Sequence, residues 1–233
     1  MKKIIIAFAF LLFITNSFGQ YKKFRFGLQL TNGVSFINSD NVNISDTKSG
    51  YAFSYGLLTE YSFNENYAIS TGVNISNPRV SRANSPAINA YYLGVNDTVR
   101  TALGLLTDQK ESYTFTYIDL PLVLKLITKE IGYFRYFGEF GIVNSFRVRS
   151  RFTLDGSSLE NKSINKKLSP FDIRSNFYNA SLKVGGGFEY IISDKTTFLV
   201  ELSFNNGFTN ILDDGDDKRS VLRMVNLTTG IMF

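Results

Sequence analysis

The chain has no cysteine, no histidine and no tryptophan, and only 4 prolines among 233 residues. Without cysteine there can be no disulfide scaffold, thiolate nucleophile, thiolate-held metal or lipid-modified N-terminal cysteine. Without histidine the commonest general base and zinc ligand are gone, and with them the Ser-His-Asp and Cys-His arrangements. Charge is sparse at 19% of residues, and the net +5 spread over this length is no nucleic-acid footprint. Beyond the first 19 residues no apolar run approaches the roughly 18 residues of a transmembrane helix. These absences point away from enzymes, and no motif calls for a cofactor or metal.

What the chain does have is aromatic side chains, 22 Phe and 13 Tyr, and a mean hydropathy of −0.03 despite 44% hydrophobic residues. Residues 1–19 read as a cleavable signal peptide. Lys2 and Lys3 form the charged start, Ile4 to Ile14 the apolar stretch, and Thr15-Asn16-Ser17-Phe18-Gly19 a small, polar exit. Residues 20–233 then form one domain.

That domain alternates with period 2, the mark of strands with two unlike faces. Eight such segments follow one another. Their apolar faces carry Phe24, Phe26, Leu28 and Leu30; Tyr51, Phe53, Tyr55, Leu57, Tyr61 and Phe63; Tyr67, Ile69, Val73 and Ile75; Tyr113, Phe115 and Tyr117, then Ile118, Leu120, Leu122, Leu124 and Leu126; Phe134, Tyr136, Phe140, Ile142, Phe146 and Val148; Tyr178, Ala180, Leu182, Val184, Phe188 and Tyr190; Phe198, Val200, Leu202 and Phe204; and Val225, Leu227, Ile231 and Phe233. The fourth segment changes phase at Tyr117–Ile118. Because a slip of one residue turns every later side chain to the other face, a β-bulge is expected there. Pro121 falls just beyond, on the inward phase.

Connections alternate in length: 37–50, 77–112, 153–176 and 209–220 are long, and 64–66, 127–132 and 193–195 are short. A short helix over 100–110 is conceivable within the longest. An even number of up-and-down strands closes most simply into a barrel. In a soluble, lipocalin-like binder of lipophilic ligands the apolar face would point inward; in an outer-membrane barrel it meets lipid. Three features favour the membrane. The polar face is dominated by Gly, Ser, Ala, Thr and Asn, which suit a narrow lumen better than a water-facing surface. Aromatics gather near segment ends, as two interfacial girdles would. One rim would hold Tyr61, Phe63, Tyr67, Phe134, Tyr136, Phe188, Tyr190, Phe198 and Phe233, and the other Tyr51, Phe53, Tyr113, Phe115, Phe146, Tyr178 and Phe204. The long/short alternation matches extracellular loops and periplasmic turns. The expected fold is an all-β, eight-stranded antiparallel up-and-down transmembrane β-barrel, in the cell outer membrane.

Several stretches resemble the PorT-like small outer-membrane barrels of Bacteroidetes. Tyr117-Ile118-Asp119-Leu120-Pro121-Leu122-Val123-Leu124-Lys125 is similar to that family's proline-containing strand. Gly185-Gly186-Gly187-Phe188-Glu189-Tyr190 resembles its glycine-rich sixth strand, and Asn206-Gly207-Phe208-Thr209-Asn210-Ile211 a recurrent strand end. The terminal Phe233 is similar to the aromatic read by the barrel-assembly machinery. The resemblance implies a structural fold and, for the namesake members, a part in type IX protein secretion or gliding.

An eight-stranded barrel is filled by side chains, so an open pore is not expected. Inward phase places Arg25, Glu60, Lys125, Arg135 and Glu189 toward the periplasmic end, and Asp119, Glu139, Lys183 and Glu201 nearer the middle. Mixed signs at both levels predict a lumenal charge network; a proton or ion path is the alternative. A catalytic pair drawn from Asp119, Glu139 and Glu201 would need a substrate cleft that a filled lumen lacks. Arg147, Arg149 and Arg151 recur at i, i+2, i+4, a stripe suited to lipopolysaccharide phosphates or an acidic partner. Asp213-Asp214-Gly215-Asp216-Asp217 is acidic but lacks the spacing of a calcium loop. In the 77–112 connection Pro78, Arg79, Arg82, Pro86, Tyr91, Tyr92 and Arg100 are candidates for recognition outside the cell, by a secretion-system or other extracellular partner.

Overall fold

The computed structural model describes residues 23–39, 46–83, 106–158, 163–168, 176–211 and 220–233. The signal segment, Pro86, Tyr91, Tyr92, Arg100 and the acidic run Asp213–Asp217 lie outside the described residues. The described residues form ten strands: β1 (Phe24–Ser39), β2 (Asp46–Lys48), β3 (Gly50–Ser62), β4 (Tyr67–Ala83), β5 (Leu106–Ile127), β6 (Phe134–Ser158), β7 (Ser163–Leu168), β8 (Tyr178–Ser193), β9 (Thr196–Gly207) and β10 (Ser220–Met232). Eight are long and form the wall; β2 and β7 are short extensions pairing with β4 and β6. Every pairing is antiparallel. The order β4-β3-β1-β10-β9-β8-β6-β5 returns on itself through β4–β5, so the sheet is a closed eight-stranded barrel. Closure matters because it leaves no backbone edge to be satisfied, the condition for a sheet to cross a lipid bilayer.

The apolar phase of the wall faces outward. Phe26, Leu28, Leu57, Leu122, Phe140 and Leu202 are each more than half exposed, while Ser35, Glu60, Lys125, Glu189 and Glu201 are buried inside. That arrangement is the reverse of a lipocalin-like binder and overturns the soluble alternative. On β5 the outward run from Ile118 to Leu126 measures roughly 27 Å along the strand, enough for an apolar band about 25 Å tall. Short turns at 63–66, 128–133 and 194–195 gather at one end of the barrel, where Gly132 takes a φ of 64° that other residues resist.

Three sequence expectations are corrected. β5 keeps one phase from Tyr113 to Lys125: Tyr113, Phe115 and Tyr117 are 3%, 0% and 1% exposed and point into the lumen, as do Asp119, Pro121, Val123 and Lys125. Tyr113 and Phe115 therefore do not belong to a lipid-facing girdle. The bulge exists but sits on the neighbouring strand, where the pairing passes from Thr116↔Arg149 to Tyr117↔Arg147 and leaves Val148 as the extra residue of β6. Finally, strands run well beyond the apolar band. β4 continues to Ala83 and β5 begins at Leu106, so Pro78, Arg79 and Arg82 are strand residues and 106–110 is not helical. The β4–β5 ladder passes from Thr71↔Leu122 to Asn74↔Asp119 alongside Pro121, which has no N–H to give; the Thr71 hydroxyl donates to the Pro121 carbonyl at 2.8 Å.

Candidate functional site

The barrel interior is filled in layers. At the short-turn end Arg25 on β1 lies directly opposite Glu60 on β3, and Arg135 on β6 opposite Glu189 on β8. Register alone therefore supplies two opposite-charge pairs on the inner face. Lys125 on β5 joins them across the lumen. Its Nζ lies 2.5 Å from Glu60 Oε1 and 2.7 Å from Glu189 Oε1. Arg25 forks onto Glu189, with Nη1 to Oε2 at 2.8 Å and Nη2 to Oε1 at 2.9 Å, and its Nη2 also reaches Glu60 Oε2 at 2.5 Å. Arg135 Nη2 adds a contact to Glu189 Oε2 at 3.0 Å. Three cations and two carboxylates from five strands thus form one cluster, with Glu189 at its centre. Burial of five charges is tolerable only because each has a partner.

Phe137 completes this layer: Lys125 Nζ stands 4.1 Å above its ring centroid. Glycine on the opposite strand makes room for it, since a Cβ on Gly187 would come within 2.9 Å of the Phe137 ring tip. Leu58, Ala68, Ile127, Leu199 and Met232 pack with Phe137 as a buried apolar group. Sequence reading missed Phe137 because it falls among lipid-facing aromatics; the one available signal was its phase, shared with Arg135 and Glu139.

One layer further in, Lys183 Nζ bridges Glu139 Oε2 at 2.9 Å and Glu201 Oε1 at 2.8 Å. Asp119 stands opposite Asn74 and Ser145, and its Oδ1 has no hydrogen-bond partner; neither has Asn205 Oδ1. Asn74, Asp119, Glu139, Lys183, Glu201 and Asn205 line a cavity of about 70 Å³. Above it come Phe115, with ring centroids 6.2 Å from Tyr113 and 5.8 Å from Tyr117, and the buried Ile37, Val80 and Leu222. All nine residues of the expected charge network line the interior, in two groups: Arg25, Glu60, Lys125, Arg135 and Glu189, and Glu139, Lys183 and Glu201 with Asp119 beside them. Asp119, Glu139 and Glu201 share one cavity, but Glu139 and Glu201 are both held by Lys183. Among the described residues no three acidic, histidine or cysteine side chains converge on a metal-sized site.

The arginine stripe is broken. The bulge at Val148 turns Arg147 inward, where its Nη1 donates to Ser150 Oγ at 2.9 Å, while Arg149 and Arg151 are exposed on the outer wall. Phe233 closes the seam between the chain's ends: its N–H donates to the Phe26 carbonyl at 2.7 Å and its ring lies 5.9 Å from that of Phe26.

Residues 16–213 match the family model for the outer membrane protein beta-barrel domain. The chain belongs to this family of outer-membrane β-barrels. The outer-membrane barrel is therefore located in the cell outer membrane, and its final strand, β10, lies beyond the matched stretch. Among solved structures the barrel is similar to Ail, the attachment invasion locus protein of Yersinia pestis, with 16% identity over 91% of this chain and 100% of that one and a TM-score of 0.35. It is also similar to OprG from Pseudomonas aeruginosa, with 12% identity, 90% and 93% coverage and a TM-score of 0.47. A third is the outer membrane protease OmpT from Escherichia coli, with 10% identity, 94% and 99% coverage and a TM-score of 0.42. No match is found among curated proteins.

Proposed function

We propose that this protein is a non-catalytic integral outer-membrane barrel with a sealed lumen, serving as a platform for its long connections on the cell exterior. The five-membered ionic cluster carries the reading. It draws Arg25, Glu60, Lys125, Arg135 and Glu189 from five strands onto common oxygens at the short-turn end, and closes the lumen where a pore would have to open. Short turns on one side and long connections on the other set the orientation of this class, with the turns and both termini periplasmic.

Refolded protein in a planar bilayer is expected to give no current above baseline; a steady ohmic conductance would overturn the sealed lumen. Protease added to intact cells is expected to cut within 84–105 and leave a membrane-protected core. Cleavage there only after the outer membrane is permeabilised would overturn the orientation. The resemblance to barrels of type IX secretion adds a second reading, a part in protein export, for which a secretion defect on gene deletion is the deciding observation.

A further inference from the structure

The bulge that removes Arg147 from the outer wall assembles something else there. Beyond the bulge, three adjacent strands bring their outward residues into rows. Ile75 on β4, Ile118 on β5 and Phe146 on β6 form one row and belong to the lipid-facing band. The next row outward holds Thr116 and Arg149, with Asn77 joined to Thr116 by a hydrogen bond of 2.9 Å. The row after that is Arg79, Thr114 and Arg151, and the following one Ser81, Ser112 and Thr153. Ser81 and Ser112 are hydrogen-bonded to each other at 3.1 Å. None of the nine residues in these three polar rows is acidic.

The spacing suits one anionic group. Arg149 and Arg151 are two residues apart on one strand, about 7 Å, and Arg79 lies two strands away from Arg151, about 10 Å. Arginine side chains reach across such gaps, so the three guanidinium groups can converge on a site over Thr114 and Thr116, which share the same outward phase of β5. All three arginines are exposed. The first arginine row lies only about 7 Å beyond the last apolar row, the level at which lipid hydrocarbon gives way to headgroups.

We propose that Arg79, Arg149 and Arg151, with Thr114 and Thr116, form a binding site for the phosphate of an outer-leaflet glycolipid headgroup. The guanidinium fork matches phosphate oxygens in pairs, and the absence of carboxylates in the rows leaves these cations without competitors there. The lipid commitment follows from position. A lipid lying against Ile75, Ile118 and Phe146 holds its phosphate where the arginines begin, whereas a soluble anion gains nothing from that apolar neighbour. The site rests on the orientation proposed above, which the protease experiment tests separately on intact cells.

The test is the thermal unfolding midpoint of the refolded barrel in neutral detergent, titrated with diphosphoryl lipid A. The wild-type midpoint is expected to rise with lipid A and to respond little to its dephosphorylated form or to inorganic phosphate. Each of Arg79→Gln, Arg149→Gln and Arg151→Gln should weaken the response by about tenfold. Arg147→Gln, whatever it does to the unliganded midpoint, should leave the titration where it was. An undiminished response in the triple variant, an equal response to dephosphorylated lipid, or an equal response to inorganic phosphate would each overturn the proposal. So would a loss in Arg147→Gln as large as that in Arg151→Gln.

Discussion

The two ends of the lumen are filled by opposite chemistries inside the same wall. At the short-turn end the space is occupied by ions, Glu189 holding Arg25, Arg135 and Lys125 together. At the other end it is occupied by rings, with Tyr113, Phe115 and Tyr117 in contact one after another along β5. The ionic fill is specific: each oxygen has a partner, and removing one group strands the others in a low-dielectric site. The aromatic fill is tolerant. Its elements need only volume and contact, and the Tyr117 hydroxyl is even left without a hydrogen-bond partner. Either device occupies lumen space, but only the first fixes which side chain sits where.

This contrast orders three predictions. Glu189→Ala should be the most damaging, lowering stability by about 5 kcal/mol, because three buried or half-buried cations lose a shared partner. Urea titration of the refolded barrel, read by its heat-modifiable gel mobility, measures it; a loss below about 1 kcal/mol would show that the cluster is held by solvent rather than by itself. Phe115→Ala should cost about 3 kcal/mol, the lower end for a buried phenylalanine, since its neighbours are rings able to shift into the space. A larger loss than in Glu189→Ala would reverse the comparison. Tyr117→Phe should be neutral or stabilise by up to about 1 kcal/mol, as it removes an unpartnered buried hydroxyl and keeps the ring. Clear destabilisation in the same titration would mean that the hydroxyl is bonded inside the folded barrel.

The contrast also explains what could be read from sequence. Strand existence, outward phase and barrel closure followed from alternation, because within the apolar band the long strands other than β5 read as apolar against polar residues in a single phase. The inward position of Lys125 and Glu60 was legible in the same way. Their contact was not, since it joins residues 65 apart through a closure that no local pattern encodes. β5 misled because its two faces are both apolar in places: Tyr113, Phe115 and Tyr117 meet other rings in the lumen, and Leu120 and Leu122 meet lipid. Hydrophobicity cannot distinguish the two, so an unbroken strand looked like a slipped one. The true bulge, on β6, left no hydrophobic signature, as it lies among arginines and serine. Strand ends were missed for a related reason. Over 76–83 of β4 and 107–112 of β5 most residues are polar, and pairing continues with little of the alternation that announces it.

One consequence of the ionic cluster concerns time rather than stability. Arg25 stands on the first wall strand and Glu189 on a strand 164 residues later, so their contact forms only when the sheet has curled nearly into a ring. Contacts that close such long loops come late on the folding path. An interaction absent from the transition state slows escape from the native state while leaving its formation rate almost untouched. The cluster thus acts as a latch set after the barrel has shut. Variants that weaken it should fold at the wild-type rate and fall apart sooner, and the residence time of the barrel in its membrane is the quantity these five side chains govern.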